Sequence, residues 1–463
     1  MNYRVRRCKL GTEPSARAIL LLRIIFVIGI AAGGVKLEAQ SPQPSPQKSY
    51  TRYLDPVAGM SVDNAVDIAL KNNLELAAMR KEFEAGEALL RQAGLRSNPS
   101  IELRGTRQLS GGDNSFMIEG GLPLELGGRR SARIRVASQE LDIRRQAVVE
   151  RERQLASEVR NKFGEALTAA LKLRFIEEMI AVAARNFDLV SAQVDEGRRP
   201  PLERNMEAVE LNRIRVLRET AEGTVELRLL ELRELLAMRP DKPLVILGNL
   251  EQLLEPIPPA IGAAERALQT RPDLLGARAV ERLAAARVEQ ARAEGRFDAD
   301  VMLGYQRMQS GFPLLGIEEN TGALLPIDQK MKFFTFGVKV TLPVRNRNQG
   351  AVAAARLEED AARNRREFGE LTVRREIAGA YIRYDRAIRA KEIYRVGVRG
   401  QAAANLDVVR QTYELGSKTL LDHIAEQRRF IETENGYIDA LLEVYLARVE
   451  ILRASNAPEL INK

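Results

Sequence analysis

Apolar residues recur along the C-terminal part of the chain with the period of a coiled-coil seam. In residues 413–453, YELGSKTLLDHIAEQRRFIETENGYIDALLEVYLARVEILR, the positions Ile438, Leu442, Tyr445, Val449 and Leu452 alternate four and three apart. Such spacing predicts a long helix, starting just after a break at Gly416, with one stripe covered along its length by parallel neighbours. Residues 194–236, VDEGRRPPLERNMEAVELNRIRVLRETAEGTVELRLLELRELL, show the same layout: an acidic and glycine break at Gly197, a charged helix and an aliphatic end. A layout repeated over that span marks an internal duplication.

The first repeat, residues 61–239, opens with a helix predicted from Ser61 to about Gly94, carrying Ala65, Ile68 and Leu76 inward and Asp63 and Asp67 in its early turns. The period then drops to two. Ile101 and Leu103, and beyond the turn SGGDN the run Phe116, Ile118, Gly120, Leu122 and Leu124, alternate with other residues. This predicts a β-hairpin over residues 99–124, ended by the strand-exit Pro123. LGGRR then turns the chain, with Arg129 and Arg130 entering a proline-free helix from Ser131 to about Val194, near 96 Å at ~1.5 Å per residue. Past Pro200 and Pro201 a shorter helix reaches Met238, and residues 240–260 form a Pro-rich connector.

The second repeat, residues 261–456, follows the same order. A helix runs from Ile261 to about Glu294, and Val301, Leu303 and Tyr305 begin a strand. A Gly- and Pro-rich loop is expected over residues 310–330. Next comes a strand with Phe334, Phe336, Val338, Val340 and Leu342 on one face and Phe333, Thr335, Gly337, Lys339 and Thr341 on the other. The hairpin spans residues 299–343, and Pro343 closes it as Pro123 closes the first. Leu74 and Leu274 are 200 positions apart, whereas Pro123 and Pro343 are 220 apart. The second hairpin loop is therefore expected to be longer by that difference, and residues 457–463 remain as a tail.

Composition narrows the class. Charged residues make up 29% of the 463 positions and aromatic ones only 5%, a balance suited to long coiled helices. The net charge of +8 raises nucleic acid as a partner, but the first 39 residues hold seven basic and two acidic side chains and so carry most of the excess. A nucleic-acid role is not expected. Those 39 residues read as a cleavable signal peptide, with a basic start, an apolar run over residues 24–35 and Leu37-Glu38-Ala39 before Gln40. QSPQPSPQKSY then opens a linker over residues 40–60. The only cysteine, Cys8, precedes the apolar run, so the exported chain is expected to carry neither lipid nor disulfide. Beyond the leader no apolar run reaches the ~18 residues of a membrane helix.

The four strands, of about ten residues each, match instead the alternating pattern of an outer-membrane barrel, which needs about eight strands to close. Three copies would supply twelve. On a soluble protein the same hairpins would leave strand edges and Phe-rich faces in water.

With the duplication, the strand exits LPLELGGRR and LPVRNRNQG and the segment YELGSKTLLDHIAEQ in place, residues 61–456 resemble the TolC family of outer-membrane efflux ducts, in the style of its CzcC-like branch. The resemblance implies a mainly α fold with a small β-barrel part: a homotrimer whose twelve-stranded barrel sits in outer-membrane lipid and whose helical tunnel hangs into the periplasm. It implies docking to a periplasmic membrane-fusion adaptor and an inner-membrane efflux pump of the RND type, passive conduction, and no catalysis or cofactor. On the family's periplasmic gate, its Tyr falls on Tyr413, its Arg on Lys418 and its first acidic-ring position on Asp422, while the second falls on Ala425, one before Glu426. Lysine lacks the bidentate fork of arginine, so a looser closed state is expected. Threefold symmetry would gather three Asp422 carboxylates into a cation-favouring ring. Asp422 can equally be an exposed acid on a coiled-coil surface. Gly197 and Gly416 would lie at adaptor-contacting tips, although turn chemistry alone would also explain them. His423, the single histidine, is expected to be an ordinary surface residue rather than a metal ligand. No nucleophile with a histidine base, phosphate-cradling loop or Cys cluster is present. The competing readings are a soluble periplasmic coiled-coil scaffold or adaptor without a barrel and, within the duct class, a drug, solvent or type I secretion channel instead of one for metal cations.

Overall fold

The computed structural model describes residues 49–254 and 257–461; the expected signal peptide, residues 1–39, lies outside them. The first repeat runs through α1 (Val62–Asn72), α2 (Leu74–Ala93), β1 (Ser100–Arg107), β2 (Asn114–Pro123), α3 (Arg129–Asp195) and α4 (Pro201–Leu235). The second runs through α5 (Ala263–Thr270), α6 (Pro272–Glu294), β3 (Asp298–Ile317), β4 (Leu324–Thr341), α7 (Gln349–Ile393), α8 (Arg399–Glu414) and α9 (Leu420–Ala454). A π-helical turn, Tyr394–Val398, joins α7 to α8. The fold class is the expected one, mainly helical, internally duplicated and with four strands per chain.

The 67 residues of α3 make a column of about 100 Å. The two shorter leading helices are each broken once, where single helices were expected. Asn73 leaves helical geometry at ψ 124° and turns its side chain to accept the Leu76 N–H, which caps α2. Before α6 the break has another cause, Pro272, which pushes the preceding Arg271 into extended geometry without any side-chain cap.

The predicted seam of α9 is covered as expected in four places, Ile438, Tyr445, Val449 and Leu452 being buried. Leu441, Val444 and Ile451 are buried too, so α9 is enclosed on more than one side. Its neighbours α3, α7 and α8 run antiparallel to it, since each descends to a tip from which a hairpin returns, whereas α4, which shares a core with α9 through Leu211, Ile214 and Ile431, returns in the same direction. The central core joins Ile438, Leu441, Tyr445, Val449 and Leu452 of α9 to Leu155, Phe163 and Leu167 of α3, Leu229 and Leu232 of α4 and Ala65 and Val66 of α1.

The strands form one antiparallel sheet in the order β1-β2-β3-β4, so β1 and β4 are its two edges. Leu103, Ile118, Tyr305 and Phe334 stand in one register row, and Ile101, Gly120, Leu303 and Phe336 in another. Alternation puts both rows on one face, whose large side chains are exposed in the single chain. The opposite face carries Glu102, Glu119, Thr335 and Lys339. The second hairpin departs from expectation. Its added residues extend the strands instead of the loop, giving 20 residues in β3 and 18 in β4 against 8 in β1 and 10 in β2. The Gly and Pro content of residues 310–330 had suggested a loop, but the ladder absorbs it with one register shift between Phe312 and Leu315.

Candidate functional site: the helical hairpin tips

Both helical hairpins turn by the same device. After α3, Gly197 sits at φ 71° and donates to the Val194 carbonyl at 2.9 Å, while the Arg198 N–H reaches Gln193 O at 2.8 Å. After α8, Gly416 sits at φ 78° and donates to Tyr413 O at 2.9 Å, while the Ser417 N–H reaches Thr412 O at 2.9 Å. These paired bonds are the Schellman closure of a helix C-terminus, and the left-handed residue it requires is best served by glycine. The returning helices start differently. α4 has Pro201 in its first turn, which suits a position with no intrahelical N–H bond. α9 starts with a capping box: Asp422 accepts from the Thr419 N–H at 3.0 Å and hydroxyl at 2.9 Å, and the Asp422 N–H donates to Thr419 Oγ1 at 3.2 Å.

Just above the turns a polar layer lies between the hairpins. The Tyr413 hydroxyl donates to Glu203 Oε2 at 2.9 Å, Arg199 binds the same oxygen at 2.8 Å, and the Arg199 guanidinium stands 4.2 Å over the Tyr413 ring. Tyr413 also stacks on His423 at 5.8 Å with the rings nearly parallel. Burial first, and the bond to Glu203 second, push the Tyr413 hydroxyl well above its usual range, so it stays a donor. His423 is buried, with Nε2 at 3.4 Å from Asn186 Nδ2 and Nδ1 unpaired. Burial, helped by Arg410, lowers its pKa and keeps the ring neutral.

One helical turn further along α4 is Glu207, 1% exposed, with Oε2 unpaired. Burial, then the charges of Glu210 and Glu203, push its carboxyl up to about 7. Glu210, equally buried, behaves oppositely. Burial works to raise its pKa, but hydrogen bonds from Arg213 at 2.7 Å and Arg428 at 2.7 Å outweigh that and hold it low.

The sequence-predicted residues are distributed around this layer. Tyr413 is inside it, and its hydroxyl partner is Glu203 of the other hairpin. Lys418 and Asp422 are exposed beside it. The hydrogen bonds from Thr419 hold the Asp422 carboxyl below the usual range, with Lys418 adding to them. His423, expected at the surface, is instead a core residue. No group of three or more His, Cys, Asp or Glu side chains able to hold a metal occurs among the described residues. Gly197 and Gly416 have open space where a side chain would stand. Pro123 ends β2, and Pro343 lies just beyond Thr341 at the end of β4. At the start of α3, Arg130 donates to Gly94 O at the end of α2 at 2.8 Å, and Arg129 pairs with Asp298 at the start of β3 at 3.0 Å.

Sequence reasoning missed Arg199, Glu203, Glu207, Glu210 and Arg428. A signal was present for the acids. Glu203, Glu207 and Glu210 are spaced four and three apart, the core spacing of α4, where carboxylates are unusual unless paired.

Helical hairpins with columns of this length, joined to a four-stranded sheet with one apolar face and two open edges, define the class of helical-barrel and β-barrel channels. Among the described residues no helix is long and apolar enough to cross a membrane. The chain belongs to the outer membrane efflux protein family, whose model matches residues 65–237 and 263–457, one segment in each repeat. This is a family of channels, not of enzymes. The chain is similar to the cobalt-zinc-cadmium resistance protein CzcC of Cupriavidus metallidurans, with 23% identity over 398 residues that cover 85% of this chain and 89% of that one. Among solved structures it is similar to CusC, with a TM-score of 0.72, 18% identity and coverage of 90% of this chain and 98% of that one. It is also similar to the open state of the MtrE outer membrane channel of Neisseria gonorrhoeae, with a TM-score of 0.68, 18% identity and coverage of 91% and 96%.

Proposed function

We propose that three copies of this chain close into one passive exit duct of an envelope-spanning efflux system. The observation that carries this reading is the sheet. It has four strands, an apolar face with no partner in the single chain, and unpaired edges at β1 and β4. A lone sheet of this kind leaves both edges and an aromatic face in water, whereas three of them joined edge to edge make a closed barrel of twelve strands with lipid outside. The cargo arrives from a periplasmic membrane-fusion adaptor and an inner-membrane pump of the RND type. Transition-metal cations are the favoured cargo, supported by the name of the cobalt-zinc-cadmium resistance relative. The adaptor meets the tips at Gly197 and Gly416, and Tyr413, Lys418 and Asp422 form the periplasmic gate, with three Asp422 carboxylates ringing the axis.

The test is planar-bilayer conductance of protein extracted from outer membranes. Detergent-dependent extraction as a trimer, with discrete cation-preferring openings, is the expected result. A protein that fractionates as a soluble periplasmic monomer and gives no conductance overturns the duct.

A further inference from the structure

The long β3–β4 hairpin outruns its neighbours. Arg107, Asn114, Gln309 and Lys330 share one register level, at which β1 and β2 end. Beyond it β3 continues to Ile317 and β4 to Leu324, about 20 to 25 Å at ~3.3 Å per residue. Over that length neither strand has a strand partner on its outer edge, although the Gly311 N–H donates to the Asp113 carboxylate at 2.7 Å, and the β4 edge continues the seam along which a barrel would close.

The chemistry of the faces changes at the same level. Below it the sheet is sided. The apolar face ends at Arg307 and Lys332, a basic pair at one level, and the other face carries Thr335, Lys339 and Thr341. Above it Leu325 and Ile327 occupy the side that is polar lower down, while Leu324 and Ile317 occupy the other. Leu314, Leu315, Ile317, Leu324, Leu325 and Ile327 are all exposed in the single chain. The acids Glu318, Glu319 and Asp328 lie at the turn and flank, and residues 310–329 hold no Lys or Arg. A hairpin apolar on both sides above the lipid-facing band has to be covered by protein. The lack of basic residues disfavours attachment to an anionic membrane surface. The bulge between Phe312 and Leu315 supplies a bend at the base of the apolar tip.

We propose that the three overhanging hairpins of a trimer lean over the barrel mouth and pack their apolar tips against one another, forming an extracellular lid. This rests on the trimeric duct proposed above. The lid is held by apolar contact between identical segments against the mutual repulsion of the acids at their turns, so added salt does not open it. It opens when cargo or an adaptor-driven expansion of the barrel parts the tips.

The test uses the full-length chain with Cys8→Ser, which leaves no native thiol, and Leu325→Cys added. In outer-membrane vesicles a short bis-maleimide is expected to link subunits into dimers on a denaturing gel and to lower conductance several-fold. A second variant, Leu314→Ser with Leu315→Ser, Leu324→Ser and Leu325→Ser, should raise open probability several-fold at both low and high salt. If trimers and basal conductance are intact yet Leu325→Cys gives no link and the serine variant conducts as the parent does, the lid is overturned and the duct stands. An environment-sensitive probe attached to the thiol of the Leu325→Cys variant and quenched by lipid-borne quenchers also overturns the lid, because it puts the tips in the bilayer. Loss of the trimer itself refutes the duct and the lid together.

Discussion

Tyr413 and Glu203 are 210 positions apart in the chain, and the tyrosine hydroxyl donates to the glutamate at 2.9 Å across the tips of the two helical hairpins. Arg199 holds the same carboxylate and covers the same ring. The cross-hairpin tie is therefore a three-membered unit in which the cation and the acid both come from the first hairpin. Tyr413→Phe keeps the ring stacked on His423 and under Arg199 but removes the hydroxyl. The loss of one hydrogen bond to a charged group is worth roughly 1 to 3 kcal/mol. Single-channel recording should show Tyr413→Phe opening the periplasmic end more often than the parent. Glu203→Gln, which keeps an acceptor for the tyrosine but loses the ion pair, should do the same through Arg199. If both variants conduct like the parent, the tie is packing alone.

Glu207 makes the stability of the tips depend on pH in a stated direction. Its folded pKa is raised to about 7 by burial and by the charges of Glu210 and Glu203, whereas an unfolded glutamate titrates at about 4.3. Below the unfolded value both states are protonated and the folded state carries no penalty. As pH rises from there towards 7 the unfolded chain ionises first, so stability falls, and above 7 the loss is complete, roughly 3 to 4 kcal/mol. Arg213 and Arg428 face Glu210, and Tyr413 and Arg199 face Glu203, so none of these donors is spent on Glu207. Glu207→Gln should flatten the fall. Thermal unfolding of the detergent-solubilised protein at pH 5 and pH 8 checks this: buried His423, whose lowered pKa acts in the opposite sense, is common to both proteins, so the variant should gain stability relative to the parent as pH rises from 5 to 8.

The turn glycines and the core glycines should fail for different reasons. Gly197 and Gly416 hold positive φ with open space around them, so Gly197→Ala or Gly416→Ala costs backbone strain only, about 1 kcal/mol each and nearly additive because the sites share no partner. Gly164 of α3 has ordinary helical geometry, but a Cβ there would be driven into the ring of Tyr445, which is itself buried. Gly164→Ala should cost more, roughly 1 to 3 kcal/mol as overpacking does. Melting temperatures of the three variants order the costs, and an alanine at Gly416 as damaging as one at Gly164 contradicts this account.

What was legible in the sequence was periodic. The alternation through Phe334, Phe336 and Val338 put those side chains on one face, and the four-three spacing of Ile438, Tyr445 and Leu452 found the buried side of α9, because side-chain direction follows directly from the period. The helix breaks at Asn73 and Arg271 were not legible, since each is one capping residue or one proline inside an otherwise continuous pattern. The strand tips over residues 310–317 and 324–329 were hidden by Gly and Pro content that a bulge accommodates. The polar layer was hidden for another reason. Arg199, Glu203 and Tyr413 come together only because two hairpins more than 200 residues apart meet, and Glu207 was hidden because acids on a charged helix read as surface. His423 misled through its type: nothing local shows that Tyr413 covers one face of the ring and that Asn186 meets its edge.

Asp422 has two jobs that a single alanine substitution would confuse. Its carboxylate closes the capping box of α9 with Thr419, and in the proposed trimer it also supplies one of three charges around the axis. Asp422→Ala removes both the cap and the charge, so it should lower the melting temperature and the cation preference together. Asp422→Asn keeps an oxygen that can accept from Thr419 but carries no charge. Reversal-potential measurements in a salt gradient should therefore show weaker cation selectivity for Asp422→Asn at a nearly unchanged melting temperature. The Thr419 hydrogen bonds, with Lys418 behind them, hold the parent carboxyl below the usual range. The selectivity of the parent should then persist through mildly acidic solution and fade only when the pH falls under the ordinary carboxylate range. A parent channel that loses its selectivity already near pH 6 would show that the charge the cations meet is not Asp422, and an Asp422→Asn channel as selective as the parent would take Asp422 out of the conduction path altogether.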